Sequence, residues 1–396
     1  MGFTLSAPPF LPSLAPPIRV PHSSRRADVG ILTPYPPTLG GLATFSAALS
    51  EALRAHDANV RVVRVADGSP SSRGDVVGEL RGDSATSVEV CVDLLNQGNV
   101  AIIQYDYGVY GGVDGNDVVD IIRGLHVPSI VVVHTVLKTP TPHQHSVLAW
   151  IAATAGQVVV MSEVAKQRLC EIYGVDRRKV TTIQHGAVVP SDPPLKRPSR
   201  PTILTWGLLR PGKGIERVIE VMSSLHQLPG RPRYMIVGPT HPAVLAEEGE
   251  AYREALVEQA RSNGVADSVV FDARYFNGTM LTALIQSAAV VVLPYDSTDQ
   301  VSSGALADTI AAGRPTVATA FPHAVEVLRN GAGTFVDHSD PDALVTALRN
   351  ILTQPRLAGS MAAEARGLAP DMAWPNVAGA YLRVAQRLIV ERPAAT

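Results

Sequence analysis

Residues 28–55 read DVGILTPYPPTLGGLATFSAALSEALRA. A short apolar run, Val29–Thr33, stops at Pro34. A loop closing on Gly40 and Gly41 follows. Leu42, Phe45, Leu49, Ala52 and Leu53 then recur at helical spacing up to Ala55. Strand, glycine loop and helix in that order open a parallel sheet wrapped by helices. The alternation continues downstream. Predicted strands are Val60–Val65, Ala101–Tyr105, Ser129–Val133, Val158–Met161 and Lys179–Gln184, with helices such as His145–Ala155 and Val164–Tyr173 between them. Most of these runs are continuously apolar and β-branched, as strands buried on both faces are.

Pro190–Pro201 holds five prolines and no periodicity, so it reads as a linker. The alternation then restarts. Predicted strands are Ile203–Trp206, Tyr234–Val237, Val269–Phe271, Val290–Leu293, Thr316–Thr319 and Thr334–Val336. Predicted helices are Ile215–Leu225, Glu250–Asn263, Thr279–Ser287, Ser303–Ala312 and Pro341–Thr353, with a last one over 376–391. The division is therefore a flexible Pro-rich tail over 1–26, one doubly wound α/β domain over 27–190, a linker over 191–201 and a second such domain over 202–370. Ligands of such sheets bind outside the carboxyl ends of the strands, so the expected site is the cleft between the two domains.

Composition agrees. A chain of 396 residues is too long for one ordinary core, and 46% hydrophobic residues exclude a disordered chain. The formal charge is -2, and in each half acids outnumber bases by one, which disfavours a nucleic-acid partner. Cys91 and Cys170 cannot build a disulfide scaffold or a four-Cys metal site, and read as small buried hydrophobes. No apolar run reaches the roughly 18 residues that span a bilayer. In the first stretch proline breaks every apolar run and Arg19 is the first basic residue, so it is not read as a signal peptide. A cytoplasmic protein is expected.

Candidate chemistry sits after strand ends. Gly40-Gly41 before a helix lets backbone N–H groups approach an anion, although on the pair alone a plain turn is the favoured reading. Asp106, Tyr107 and Tyr110 lie in a dense Gly-rich loop that suits a sugar or acceptor, or an aromatic-packed turn. His134 ends a strand and faces the crevice, as a hydroxyl partner or a structural histidine. At His185 a structural role is favoured. Gly207, Arg210, Lys213 and Gly214 open a helix as a phosphate-binding arrangement, without the P-loop or Gly-x-Gly-x-x-Gly order. Gln300, Ser302, Ser303 and Gly304 lead into a helix with Asp308 one turn in. They fit either an anion-and-ribose site or a Ser N-cap with a first-turn acid.

The Gly40-Gly41 loop, His134, Gly207…Lys213-Gly214 and Leu306–Pro315 together make the chain resemble the retaining nucleotide-sugar glycosyltransferases of family 4. The likeness covers roughly Asp28 to Glu391. Gln104–Gly112, Gly238–Pro242 and Ser302–Thr319 look like a bacterial mannosyl- or glucosyltransferase subgroup. The resemblance implies a GT-B fold, two Rossmann-like domains facing a cleft, with the C-terminal helix 376–391 crossing back to the first. It implies that Gly40-Gly41 lies against the donor diphosphate, that His134 contacts the transferred sugar, and that Lys213 pairs with the diphosphate. Asp308 would hold the ribose, and Phe271–Phe276 would flank the nucleobase. Two positions depart from the family pattern. Gln300 and Asp308 stand where two glutamates are usual, and Leu208 stands where an arginine is usual, with Arg210 the nearest one.

The expected function is metal-independent hexosyl transfer from a nucleoside-diphosphate sugar to a saccharide, small-molecule or lipid-linked hydroxyl. No cofactor is expected beyond that co-substrate. Membrane contact is at most peripheral, and a homodimer is compatible. A GT-B sugar-nucleotide epimerase and a nucleotide-sugar binding protein without turnover are the competing functions.

Overall fold

The computed structural model describes residues 26–70, 74–82, 84–191, 198–276 and 278–391. The proline-rich start and the middle of the linker, 192–197, lie outside the described residues. Seven strands form the first sheet among the described residues: β1 (Asp28–Thr33), β2 (Asn59–Val65), β3 (Val76–Leu80), β4 (Val100–Tyr105), β5 (Ser129–Val133), β6 (Gln157–Val160) and β7 (Val180–Thr182). Their order is β3-β2-β1-β4-β5-β6-β7, and every pairing is parallel. The second sheet holds β8 (Thr202–Trp206), β9 (Arg233–Val237), β10 (Val269–Asp272), β11 (Val290–Leu293), β12 (Thr316–Thr319) and β13 (Gly333–Val336), ordered β10-β9-β8-β11-β12-β13 and again all parallel. Both are doubly wound. The strand order reverses beside β1 in one sheet and beside β8 in the other, which opens a crevice at their carboxyl ends.

The central strands β4, β5, β6, β8 and β11 are buried at every position. Helices cover both faces, and each sheet separates two apolar clusters. One strand and several helices escape the apolar-period reading. The helices Pro242–Glu248, Pro322–Leu328 and Pro355–Met372 each have proline in the first turn, and His145–Ala155 extends back to Pro142. Proline punctuates loops, but it is also preorganised for the first helical position. Pro355–Met372 further hides its pattern because its buried face is mostly alanine: Ala358, Ala362, Ala365 and Ala369. The helix Ala85–Asn96 is announced by its N-cap, Ser84, which accepts from Ser87 N–H, rather than by period.

The chain crosses between the domains twice. The second crossing follows Met372, whose carbonyl accepts from Ala187 N–H at 2.7 Å. The last helix, Trp374–Glu391, then packs on the first domain against Gly41–Ala55, burying Val377, Ala378, Tyr381, Leu382, Val384 and Ala385 in the same cluster as Phe45, Leu49 and Leu53. Tyr381 is 1% exposed, and its hydroxyl has no hydrogen-bond partner. A buried hydroxyl left unpaired costs about 1–3 kcal/mol. Tyr381→Phe should therefore leave the melting temperature equal or higher, whereas Tyr381→Ala should destabilise by about 3–5 kcal/mol through the cavity it opens. A lower melting temperature for the phenylalanine variant would contradict the packing described.

Candidate active site

The carboxyl ends of the two sheets face each other across a cleft of about 690 Å³, lined from both domains and floored by aromatic rings. Phe45 lies edge-on to His134 at 5.3 Å, to His185 at 4.9 Å and to Trp374 at 5.3 Å between ring centroids. Gly186 makes room for Trp374, because a Cβ there would lie 2.4 Å from the indole ring.

The first domain supplies three loops. After β1, Gly40 has φ 147°, outside the range of ordinary L-residues, and caps the helix Gly41–Ala55 without a side chain. A Cβ at Gly40 or Gly41 would meet nothing within 4 Å, so both backbones are open to the cleft. After β4, Asp106 lines the cleft. Burial raises its pKa, while bonds from Thr135 Oγ1 at 2.9 Å and from the N–H groups of Tyr107 and Gly108 pull it back down. After β5, His134 Nε2 donates to Gln104 Oε1 at 2.7 Å. Burial and neighbouring His185 lower its pKa to about 3, so the ring is neutral near pH 7. A neutral ring with one nitrogen committed is a hydrogen-bonding group for a hydroxyl, not a cation. His185, expected to be structural, also lines the cleft. Its Nδ1 donates to Gly186 O at 2.8 Å.

The tyrosines of the β4 loop are a correction. Tyr110 is 6% exposed and its hydroxyl donates to Gln104 O at 2.8 Å. Tyr107 packs on Tyr105 and bonds Tyr173. Both turn into the apolar cluster beneath the sheet, where their rings are worth more buried than presented to solvent, and only Asp106 of the three reaches the cleft.

The second domain brings the charge. Gly207 has φ 120°, and Gly238 approaches it so closely that a Cβ at 238 would lie 2.1 Å from Gly207 O. Gly214, at φ 65°, caps the helix Ile215–Leu225, and a Cβ there would strike Pro294 O at 1.7 Å. This tight packing turns Lys213 into the cleft, with its ammonium 4.7 Å from the Tyr295 ring centroid. Burial, and then the charge of Arg210, lower the Lys213 pKa to about 8. Arg210 is exposed to the cleft and also depresses His241, after burial. Among the described residues no carboxylate pairs with Lys213 or Arg210. Two unpaired cations beside an enclosed surface are an arrangement that attracts an anion.

The loop after β11 closes the other side. Ser303 caps the helix Gly304–Ala311 by accepting from Leu306 N–H, and Ser302 Oγ donates to His134 O at 3.0 Å. Both hydroxyls are thus engaged in structure, while the N–H groups of Gly304 and Ala305 have no acceptor among the described residues and line the cleft. Gly304 needs its missing side chain, since a Cβ would come within 2.9 Å of His185 Nε2 in the other domain. Gln300 Nε2 donates to Ser302 O at 2.8 Å and stiffens this turn. Asp308 lines the cleft with no donor to its carboxylate among the described residues, and burial raises its pKa to about 7. Arg274, Tyr275 and Phe276 form the far wall, and Tyr275 meets Thr44 Oγ1 of the first domain at 2.9 Å.

Several residues that hold the halves together carry no sequence signal. Glu326 accepts from the N–H groups of Glu163 and Val164 at 3.0 Å each, across the interface. Arg168 donates to Val136 O and Asp299 O at 2.9 Å each and pairs with the Asp299 carboxylate. No cluster of three His, Cys, Asp or Glu among the described residues is placed to hold a metal ion, and no described helix is long and apolar enough to cross a membrane.

Comparison with known proteins addresses both domains. The model for Glycosyltransferase Family 4 matches residues 39–189, and that for Glycosyl transferases group 1 matches residues 200–354. A GDP-mannose-dependent alpha-(1-6)-phosphatidylinositol monomannoside mannosyltransferase of Mycolicibacterium smegmatis is 31% identical over 43% of this chain and 44% of its own length. A D-inositol 3-phosphate glycosyltransferase of Rhodococcus jostii is 25% identical over 59% of this chain and 52% of its own. The chain thus spans about half the length of the curated relatives it matches. Among solved structures, sucrose-phosphate synthase of Thermosynechococcus elongatus superposes with TM-score 0.73 at 17% identity, covering 93% of this chain and 100% of that one. Anabaena Alr3699/HepE, in complex with UDP and glucose, superposes with TM-score 0.70 at 14% identity, covering 92% and 99%. With one family model on each α/β domain and GT-B structures superposing across both, the chain belongs to the family 4 glycosyltransferases.

Proposed function

We propose that this protein transfers a hexosyl group from a nucleoside-diphosphate sugar to a hydroxyl acceptor, with retention of configuration and without a metal ion. The observation that carries this is the unpaired cation pair, Lys213 and Arg210, in a cleft whose opposite wall is the N-terminus of the helix Gly41–Ala55. A diphosphate leaving group gains negative charge as the glycosidic bond breaks, and preorganised cations and N–H groups stabilise that charge in the transition state. They supply what a metal ion supplies elsewhere. Asp308, which has no protein donor among the described residues, suits ribose hydroxyls, and neutral His134 suits a hydroxyl of the transferred sugar. The solved neighbours with UDP, glucose and UDP-glucose, and the relative named for GDP-mannose, favour a nucleotide-sugar donor. The curated relatives are named for inositol-containing acceptors, which makes those the first to assay. We infer action on the cytoplasmic side, where such donors are made.

Mass-spectrometric product detection across UDP-, GDP- and ADP-sugars tests the reading directly. Acceptor-dependent donor consumption is expected. Consumption without acceptor would mark an epimerase, and binding without turnover a binding protein. Lys213→Ala should lower kcat about 10²–10³-fold, the usual loss for one charge-stabilising donor, and a wild-type rate would remove Lys213 from the donor site. Activity should survive EDTA. Loss restored by Mg²⁺ or Mn²⁺ would refute metal independence.

Asp308 gives a pH signature. Its pKa, about 7, lies above that of an unfolded aspartate, so its protonated form is favoured in the fold. Its contribution to stability is complete below about pH 4 and lost as pH rises through 7. Asp308→Asn should therefore raise the melting temperature of the free protein more at pH 8 than at pH 5. The charged form is the better ribose acceptor, so wild-type donor KM should rise as pH falls below 7, and that limb should vanish in Asp308→Asn. An unchanged pH profile would place the ribose elsewhere.

A further inference from the structure

Arg64 of β2 is 0% exposed although it carries a full charge. A buried guanidinium is tolerated only when its donors are matched, because stripping a charge of water costs several kcal/mol. Here each of its five N–H groups has a partner. Nε donates to Tyr35 O at 3.1 Å. One terminal nitrogen donates to Ser69 O and Glu79 Oε1 at 2.8 Å each. The other donates to Thr38 Oγ1 at 3.0 Å and to Asp67 Oδ1. Thr38 in turn donates to the second Asp67 oxygen at 2.6 Å.

Two of those partners, Tyr35 O and Thr38, belong to the loop that leaves β1 and ends at Gly40-Gly41. Tyr35 is also held by its fully buried ring and Gly40 O by Thr44 N–H, but between them, over 36–39, the loop has few other ties among the described residues. Its tip is exposed at Pro37 and Leu39, Gly40 and Gly41 touch nothing a Cβ would meet, and the backbone makes one internal turn bond, Thr38 N–H to Tyr35 O at 3.2 Å. Tyr35 is further tied through its hydroxyl to Asp75 at 2.5 Å. Burial acts against the Asp67 carboxylate, but the bonds from Thr38, Ser69 N–H and Arg64 together hold its pKa down at about 2. The anchor therefore keeps its charge across the physiological range.

We propose that Arg64 is the positioning residue for the glycine loop, and that through Tyr35 O and Thr38 it fixes the free N–H groups at the start of the helix Gly41–Ala55 where a nucleoside diphosphate is bound. Arginine is required because its planar fork reaches partners on both sides at once, which an ammonium cannot do. The ligand half of the inference rests on the donor-site reading above, and the positioning half stands without it.

Thr38→Val is the sharper variant, since it removes the Thr38 tie to Arg64 and Asp67, the one nearest the glycines, while the other Arg64 bonds, that to Tyr35 O included, survive. Arg64→Lys is its partner. Three measurements apply: UDP, GDP and ADP binding by calorimetry, donor kinetics, and amide hydrogen exchange without ligand. Thr38→Val should weaken nucleoside-diphosphate binding and raise donor KM about tenfold with kcat nearly unchanged, the pattern of lost uniform binding. Exchange at the amides of 39–43 should quicken in both variants, while β1 and the rest of that helix keep wild-type protection. Unchanged exchange at 39–43 would overturn the positioning role, whatever binds. Quickened exchange with wild-type affinity and KM would overturn the link to the donor. If wild-type protein binds none of the three nucleotides, the donor-site reading falls and takes the ligand half with it, while exchange still decides the positioning half. If Arg64→Lys fails to fold, Thr38→Val alone decides.

Discussion

Everything in the cleft depends on how the loop after β11 is held between the domains. Asp299 is the knot. Its carboxylate pairs with Arg168 and accepts from Lys138 N–H at 2.9 Å, and its carbonyl accepts from Arg168. Ser162 Oγ donates to Val301 O at 2.7 Å, and Ser302 reaches His134 O. All these contacts join a second-domain loop to the loops after β5 and β6 and to the helix Glu163–Glu171 of the first domain. They fix the turn that presents Ser303, Gly304 and Asp308 to the cleft. Arg168 is nearly buried, and a guanidinium in that setting is strongly destabilising once its carboxylate is removed. The geometry of the second wall is thus set by the first domain. Glu326 repeats the logic a helix away. It caps an N-terminus across the interface, where the macrodipole favours an anion.

The charge pattern inside the cleft is the complement of that interface. At the interface acids and bases are matched. In the cleft they are separated. Among the described residues, Lys213 and Arg210 stand without a carboxylate, and Asp308 stands without a cation or a donor. Burial works against each charge, lowering the lysine and raising the aspartate. A protein selected only for stability would pair such groups or replace them, since buried polar groups are normally satisfied. Leaving both a cationic and an anionic group open in one enclosed space is expected where the missing partners arrive with a ligand that carries anionic phosphates and donor hydroxyls.

The sequence announced the architecture because strands buried on both faces cannot hide. β1, β4, β5 and β11 are apolar runs with sharp ends, and the glycine loops after β1 and β8 mark the two facing sides of the cleft. Helices opened by proline, or buried through alanine, were less legible. So were the interface residues. Arg168, Asp299 and Glu326 are ordinary surface residues by type, and only tertiary contact makes them partners. Arg64 did leave a trace: an arginine inside the apolar run Val60–Val65 calls for a matched set of acceptors. The two loop tyrosines misled for the opposite reason. Aromatic residues suit sugars, but a ring within reach of a core is more often drawn into it.

The two departures from the family pattern lose much of their weight in three dimensions. Leu208 lines the cleft where an arginine is usual, yet Arg210 stands two residues on, and its charge depresses both Lys213 and His241. A cation thus still stands at this wall of the cleft, and Coulomb energy depends on distance rather than on sequence position. Gln300 is the more consequential change. Its backbone carbonyl accepts from His323 N–H at 3.2 Å, and its side-chain amide is spent on Ser302 O, so it acts as a brace of the turn. A glutamate at 300 could not donate to that carbonyl. In this chain the first of the two usual carboxylates has become structural, and Asp308 is left as the acid in the loop that remains open to a ligand.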